Sequence, residues 1–245
     1  MSGALLDVLF PLRCAGCETG PWPFCPGCRA ELVVITPPLC GRCGRPTEEP
    51  LPRCRDCPPP PIEIARSPLL YSGPVRVALH RLKFSGWRAV ARGLAGAMAA
   101  VNAFDADTVT WVPLAPARRA RRGFDQARAL GLAVAARLSL PALPLLARTA
   151  DTPPQARRSA VERRRAMRGA FRHAGRGPPE RVLLVDDVLT TGATAAECAR
   201  VLRSAGAAHV GLLTAARALS GPIPARCYSR TDSRLSLWLP GDRPR

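Results

Sequence analysis

Asp186 and Asp187 stand side by side at the end of an aliphatic run, within residues 182–198, VLLVDDVLTTGATAAEC. Adjacent carboxylates repel each other and add nothing to a fold, so their position asks for a ligand. The residues that follow supply the other half of a site. Thr190, Thr191, Gly192, Ala193 and Thr194 place three hydroxyls and a glycine between a strand end and the start of a helix. Open amides and the positive helix end attract an anion there, and a glycine lets the backbone approach it closely. The lysine of a triphosphate-binding G-x-x-x-x-G-K loop is missing. Paired carboxylates repel a polyphosphate but suit a cis-diol. The ligand implied is a sugar phosphate, with its phosphate in the turn and its ribose hydroxyls on the aspartates.

A second chemistry lies at the other end of the chain. Eight of the ten cysteines form four C-x-x-C pairs: Cys14 and Cys17, Cys25 and Cys28, Cys40 and Cys43, Cys54 and Cys57. The two-residue spacer turns both sulfurs toward one centre, and two such knuckles close a tetrahedral zinc site with no open position. Two structural zinc ions are expected. The pairs can join sequentially or interleave, and the short loops between them favour the sequential scheme. Cys198 and Cys227 lie in other contexts and read as packing residues.

Composition bounds the partners. The chain of 245 residues has a net charge of +18, with Lys83 as its sole lysine among 36 basic residues. Residues 118–172 hold fourteen arginines against Asp125, Asp151 and Glu162. A belt of that kind suits polyanions, either phosphates of a ligand or nucleic acid. Aromatic residues make up 5% of the chain, so a base-stacking platform would be thin. Phe84, Trp87 and Phe124 read as core. No run reaches the ~18 apolar residues of a membrane span. The first residues lack the basic segment and cleavage site of a secretory signal, so a cytoplasmic location is expected.

The elements that must position these groups alternate. Residues 108–114, 181–188 and 209–217 read as buried strands, and 124–138 and 193–206 as helices. Residues 75–101 read as two helices broken near Ser85 and Gly86, with His80 and Lys83 as surface or interface groups with no catalytic role assigned. The proline-rich stretch after Cys57 reads as a linker. Continuous apolar strands alternating with helices predict a parallel sheet covered on both faces, with ligands at the carboxyl ends of the strands.

VLLVDDVLTTGAT resembles the phosphoribosyl pyrophosphate (PRPP) motif of type I phosphoribosyltransferases. Together with the four-knuckle head, LHRLKFSG, RRGFDQA and RTADTPPQARRSAVERRRAMRGAF, it makes nearly the whole chain similar to the ComF family of competence proteins. The resemblance implies an α/β, parallel-sheet type I phosphoribosyltransferase fold over residues 61–245. A small Cys-rich zinc-binding domain, with its linker, would occupy residues 1–60. It implies PRPP as ligand, magnesium accompanying it, and a role in DNA uptake during natural transformation, with single-stranded DNA as a partner. Asp186 and Asp187 would bind the ribose hydroxyls, and Thr190, Thr191, Gly192, Ala193 and Thr194 the 5′-phosphate. Residues 113–119 would form a loop handling pyrophosphate, and 148–168 a hood. Arg118, Arg122, Arg148 and Arg158 are candidates to stabilise the leaving charge, and Gln126 and Gln155 to orient an acceptor. Asp125 and Ala166 stand where the family commonly has asparagine, a departure that bears on the acceptor side. The contrasting function is a PRPP sensor without turnover whose arginines and zinc head hold single-stranded DNA. A DNA-uptake protein such as a helicase is a further partner for the head.

Overall fold

The computed structural model describes residues 12–149, 169–175, 177–219 and 228–229. In chain order the helices and strands are α1 (Pro26–Ala30), β1 (Val34–Ile35), β2 (Ile64–Arg66), β3 (Leu69–Leu70), α2 (Gly73–Phe84), α3 (Ala89–Ala100), β4 (Thr108–Trp111), α4 (Pro116–Arg122), α5 (Gln126–Leu138), β5 (Leu146–Arg148), β6 (Phe171–His173), β7 (Arg181–Leu189), α6 (Ala193–Ser204), β8 (His209–Arg217) and β9 (Tyr228–Ser229).

Strands β4, β7 and β8 pair in parallel, with Val109 opposite Leu183 and Leu183 opposite Gly211. Their aliphatic character follows from burial on both sides. Leu183, Val185 and Leu213 enter one core with Leu79 of α2, Leu94 of α3 and Leu130 of α5. Val182, Leu184 and Leu212 enter the opposite core with Leu202 of α6 and with Leu146 and Phe171 of the antiparallel β5–β6 pair. Each such side chain contributes about 1.5–3 kcal/mol by leaving water.

The stretch read as a linker is part of this sheet. Strands β2 and β3 follow one another along the free edge of β8, both parallel to it. Pro68, which has no N–H to donate, separates them. Proline content misled the reading because it says nothing of the apolar residues between: Ile62, Ala65, Leu69 and Leu70 are all buried. Beyond them β1, from the Cys-rich head, pairs antiparallel with β3 and with β9.

The head packs against both faces. Cys14, Phe24, Cys28 and Leu32 share the core of α2 and α3, whereas Cys40 and Cys43 share that of α6. At Gly93 of α3, a Cβ would sit 2.9 Å from Trp22 and Pro23, so a side chain there would lift the head away. Arg81 of α2 donates to the carbonyls of Ala15 (2.7 Å) and Gly16 (3.0 Å) and pairs with Glu18 at 2.6 Å. The break between α2 and α3 falls where expected, at Ser85 and a left-handed Gly86. Among the described residues no helix is long and apolar enough to cross a membrane.

Candidate functional site

Strand β7 carries the aspartates to the carboxyl edge of the sheet, and the turn after it closes a small pocket of about 140 Å³. Asp186, Thr190, Thr191, Gly192, Ala193 and Thr194 all line it, with Leu212 and Thr214 of β8 behind. Thr214 lies opposite Asp186 in the strand register, and its hydroxyl is 2.6 Å from that of Ser67. A polar row therefore crosses the sheet at the level of the first aspartate.

The turn has the geometry of an anion cradle. Gly192 is the N-cap of α6 with φ +72°, a left-handed conformation that suits glycine. It has no side chain to spend on the first-turn amides, and the nearby Thr191 hydroxyl takes only the Ala193 N–H, at 3.4 Å. A Cβ on Gly192 would lie 2.5 Å from the Cβ of Pro58, the residue after the last zinc knuckle. The cradle wall is therefore built partly by the head.

Asp187 is buried and ion-paired with Lys83 at the end of α2. Burial alone would depress the Lys83 ammonium, but Asp187, and Asp186 behind it, raise it above its ordinary value. Burial, and then the charge of Asp187, push the Asp186 carboxyl well above the usual carboxylate range. Arg122, at the end of α4, donates from Nη1 to Gln126 Oε1 at 3.2 Å and stacks 4.6 Å over the Phe84 ring. Burial, then the neighbouring charge of Arg118, lower its guanidinium, with Asp187 opposing. The structure thus brings Asp186, Asp187, Arg122, Gln126 and the cradle to one edge, with Arg118 one turn away on α4. Arg148 lies apart on β5, stacked 5.2 Å over Phe171, at a more open hollow of about 740 Å³ that it shares with Arg119 and Arg128. Gln155, Arg158 and Ala166 lie outside the described residues, as does Cys227.

Three expectations change. Residues 116–119, read as loop, form the start of α4, because Pro116 sets the first helical turn. Asp125 is a structural acceptor. It caps α5 by taking the Ala127 and Arg128 N–H groups on Oδ1, and it takes the Leu114 N–H on Oδ2 at 2.9 Å. Asparagine could not accept on both atoms. Phe84 is not core: it is 58% exposed, with His80 at 4.6 Å and Arg122 over its ring. Trp87 is half-buried and Phe124 buried. Lys83, read as a surface or interface group without a catalytic role, pairs with Asp187 and is the functional candidate that the sequence did not single out. The available signal was its singularity among the basic residues.

The cysteines gather sequentially, Cys14, Cys17, Cys25 and Cys28 in one set and Cys40, Cys43, Cys54 and Cys57 in the other, each with its sulfurs within 4.8 Å of one another. Separations of 3.6 Å for Cys17–Cys25, 3.6 Å for Cys40–Cys57 and 3.5 Å for Cys43–Cys54 are far beyond a disulfide. They approach the ~3.8 Å edge of a tetrahedron with ~2.3 Å zinc–sulfur bonds. Backbone N–H groups point at the sulfurs, as from Cys25 to Cys14 (3.3 Å) and from Cys54 to Cys40 (3.2 Å). The Thr19 hydroxyl, then the Thr19 and Gly20 amides, lower the Cys17 thiol to about 5. Two structural zinc ions fit these sets. Cys198 is buried in the core, as expected.

Comparison with known proteins agrees with this architecture. The double zinc ribbon domain family matches residues 5–58. DNA utilization protein YhgH of Salmonella typhimurium is 32% identical over 209 residues, covering 81% of this chain and 92% of that protein. Competence protein F of Haemophilus influenzae is 30% identical over 208 residues, covering 79% and 90%. Among solved structures, the glutamine PRPP amidotransferase from B. subtilis complexed with ADP and GMP matches 51% of this chain and 26% of its own. Its identity is 24% and its TM-score 0.37, too partial a likeness to bear on the fold. With relatives at 30% identity or more over about four fifths of its length, this chain belongs to the ComF/YhgH family of competence and DNA utilization proteins.

Proposed function

We propose that this protein binds PRPP at the carboxyl edge of its sheet and transfers the phosphoribosyl group to an acceptor in the handling of incoming DNA. The observation that carries the reading is the pocket in which Asp186 meets the Thr190–Thr194 turn, a diol acceptor beside an anion cradle. The relatives' names, competence protein and DNA utilization protein, support the biological setting.

In this reading the cradle amides and hydroxyls hold the 5′-phosphate, and the aspartates accept from the ribose hydroxyls. The C1–O bond to the diphosphate breaks, and its electron pair leaves with pyrophosphate. The lone pair of an acceptor nitrogen forms the new C1–N bond from the opposite face, and that nitrogen loses a proton. Magnesium enters with the diphosphate as part of the substrate and offsets its charge. Arg122, with Arg118 beside it, faces the charge that develops on the leaving group, and preorganised cations are worth most in such a shielded place.

Replacing Asp186→Asn together with Asp187→Asn keeps shape and removes both charges. Charge-assisted hydrogen bonds contribute roughly 1.5–3 kcal/mol each, so calorimetry should show PRPP affinity falling by at least about tenfold. Unchanged affinity overturns the assignment. Release of pyrophosphate from labelled PRPP in cell extract distinguishes a transferase from a sensor. The second reading, a PRPP-responsive module on single-stranded DNA, is favoured by the +18 charge and by the hollow lined by Arg119, Arg128 and Arg148.

A further inference from the structure

The last turn of α2 brings Lys83 to the carboxyl edge of the sheet, where it meets Asp187 with little water around either group: the side chains are 23% and 8% exposed. Strand alternation separates the two aspartates. Asp186 lines the cradle, while Asp187 turns toward α2 and the Arg122 end of α4. A ribose resting on both carboxylates, with its 5′-phosphate in the cradle, has its C1 end on the Lys83 side. A diphosphate on C1 would be repelled by two bare carboxylates at that distance. Lys83 and Arg122 offset that charge on the side where the diphosphate arrives, and Arg122 Nε is buried there without a partner.

The residue type fits the task. An ammonium has three rotatable donors, so one can stay on a carboxylate while another reaches a phosphate oxygen. A guanidinium fork tends to lock onto one carboxylate with two parallel bonds. In a chain that uses arginine for every other basic position, a lysine stands at this one.

We propose that Lys83 binds the C1 diphosphate, so that the site selects a 1-diphosphorylated ribose 5-phosphate over ribose 5-phosphate itself. This rests on the PRPP-binding reading above. Lys83 keeps one donor on Asp187 and gives another to the diphosphate, which couples the diol half of the site to the leaving-group half.

A sole lysine makes the test direct. Protein grown with lysine ¹³C-labelled at Cε gives a single lysine signal without any substitution. Magnesium pyrophosphate and PRPP should each shift that signal, and ribose 5-phosphate should shift it much less. In calorimetry, Lys83→Gln should lose at least about tenfold in PRPP affinity while its ribose 5-phosphate affinity stays within about twofold. An equal shift with ribose 5-phosphate, or equal losses for both ligands, overturns the proposal, because Lys83 then serves only to hold Asp187. Should Lys83→Gln fail to fold, the labelled wild-type protein decides alone. Wild-type protein that binds neither PRPP nor ribose 5-phosphate overturns the PRPP reading itself, an outcome distinct from the loss of Lys83's role.

Discussion

Gly192→Ala tests whether the zinc head really forms the wall of the cradle. Two costs add at this position. An L-residue at φ +72° is strained by about 1–2 kcal/mol. The new Cβ would then lie 2.5 Å from the Cβ and 3.2 Å from the Cα of Pro58, with Leu189 Cδ1 at 3.4 Å. Pro58 is a ring next to a zinc ligand and has little freedom to yield, so overpacking should add about 1–3 kcal/mol. The expected total is roughly 2–5 kcal/mol. Gly123→Ala supplies the control: its φ is also +72°, but nothing lies within 4 Å of its Cβ position. It should cost only the strain, about 1–2 kcal/mol. Urea unfolding of the zinc-loaded proteins measures both, read from the midpoint where the slope is unchanged. Introducing Pro58→Gly should remove most of the excess at residue 192 and none at residue 123, the signature of direct coupling. PRPP affinity should fall for Gly192→Ala and hold for Gly123→Ala. Equal costs for the two alanines would refute the reasoning, since the head would then be giving way at no cost.

The other predictions concern metal and pH. The protein should carry two zinc ions by elemental analysis, and PRPP should slow chelator extraction from the Cys40 set, which adjoins the cradle, without slowing it from the Cys14 set. Arg217, 2% exposed, donates to the Cys43 carbonyl at 2.6 Å; Arg217→Met should weaken zinc at the second set by about 10–100-fold and leave the first unchanged. Asp186→Asn should stabilise the unliganded protein at neutral pH, measured by thermal unfolding across pH. Because its folded pKa is raised, Asp186 gives full stability below the ordinary value of ~3.9 and loses it as pH rises through the folded value. The advantage of asparagine should therefore vanish toward pH ~4 and grow above it, and a constant advantage would contradict the assignment.

What the sequence shows well is what lies close together along it. The cradle occupies one short window, so strand end, carboxylates, hydroxyls and glycine are read together. The zinc knuckles are equally local. The central strands are legible because burial on both faces leaves aliphatic runs with no alternation to confuse them, and β8 begins and ends where expected, at His209 and Arg217. Contacts between distant segments left no such trace. Lys83 and Asp187 belong to different elements, and neither announces the other. Asp125 gives no sign in the sequence that it also accepts the distant Leu114 N–H. The proline-rich exit looks like a linker because local composition cannot say that β8 has a free edge to be filled.

That filled edge has a consequence for how the two zinc sets act. The first set is held to the α2–α3 face through Arg81 and through Trp22 and Pro23 on Gly93. The second lies across the carboxyl edge, where Arg217, at the end of β8, reaches the Cys43 carbonyl and Pro58 meets Gly192. A tetrathiolate zinc centre carries two negative charges, and Arg217 and Arg66 supply positive charge beside it, since both interact electrostatically with its cysteines. Loss of zinc from the second set would leave Arg217 buried beside uncharged thiols and would release the wall against which the Thr190–Thr194 turn is packed. Loss from the first would loosen α2, and with it Lys83, while leaving the turn itself supported. The two sites are alike in ligands and different in what they hold in place.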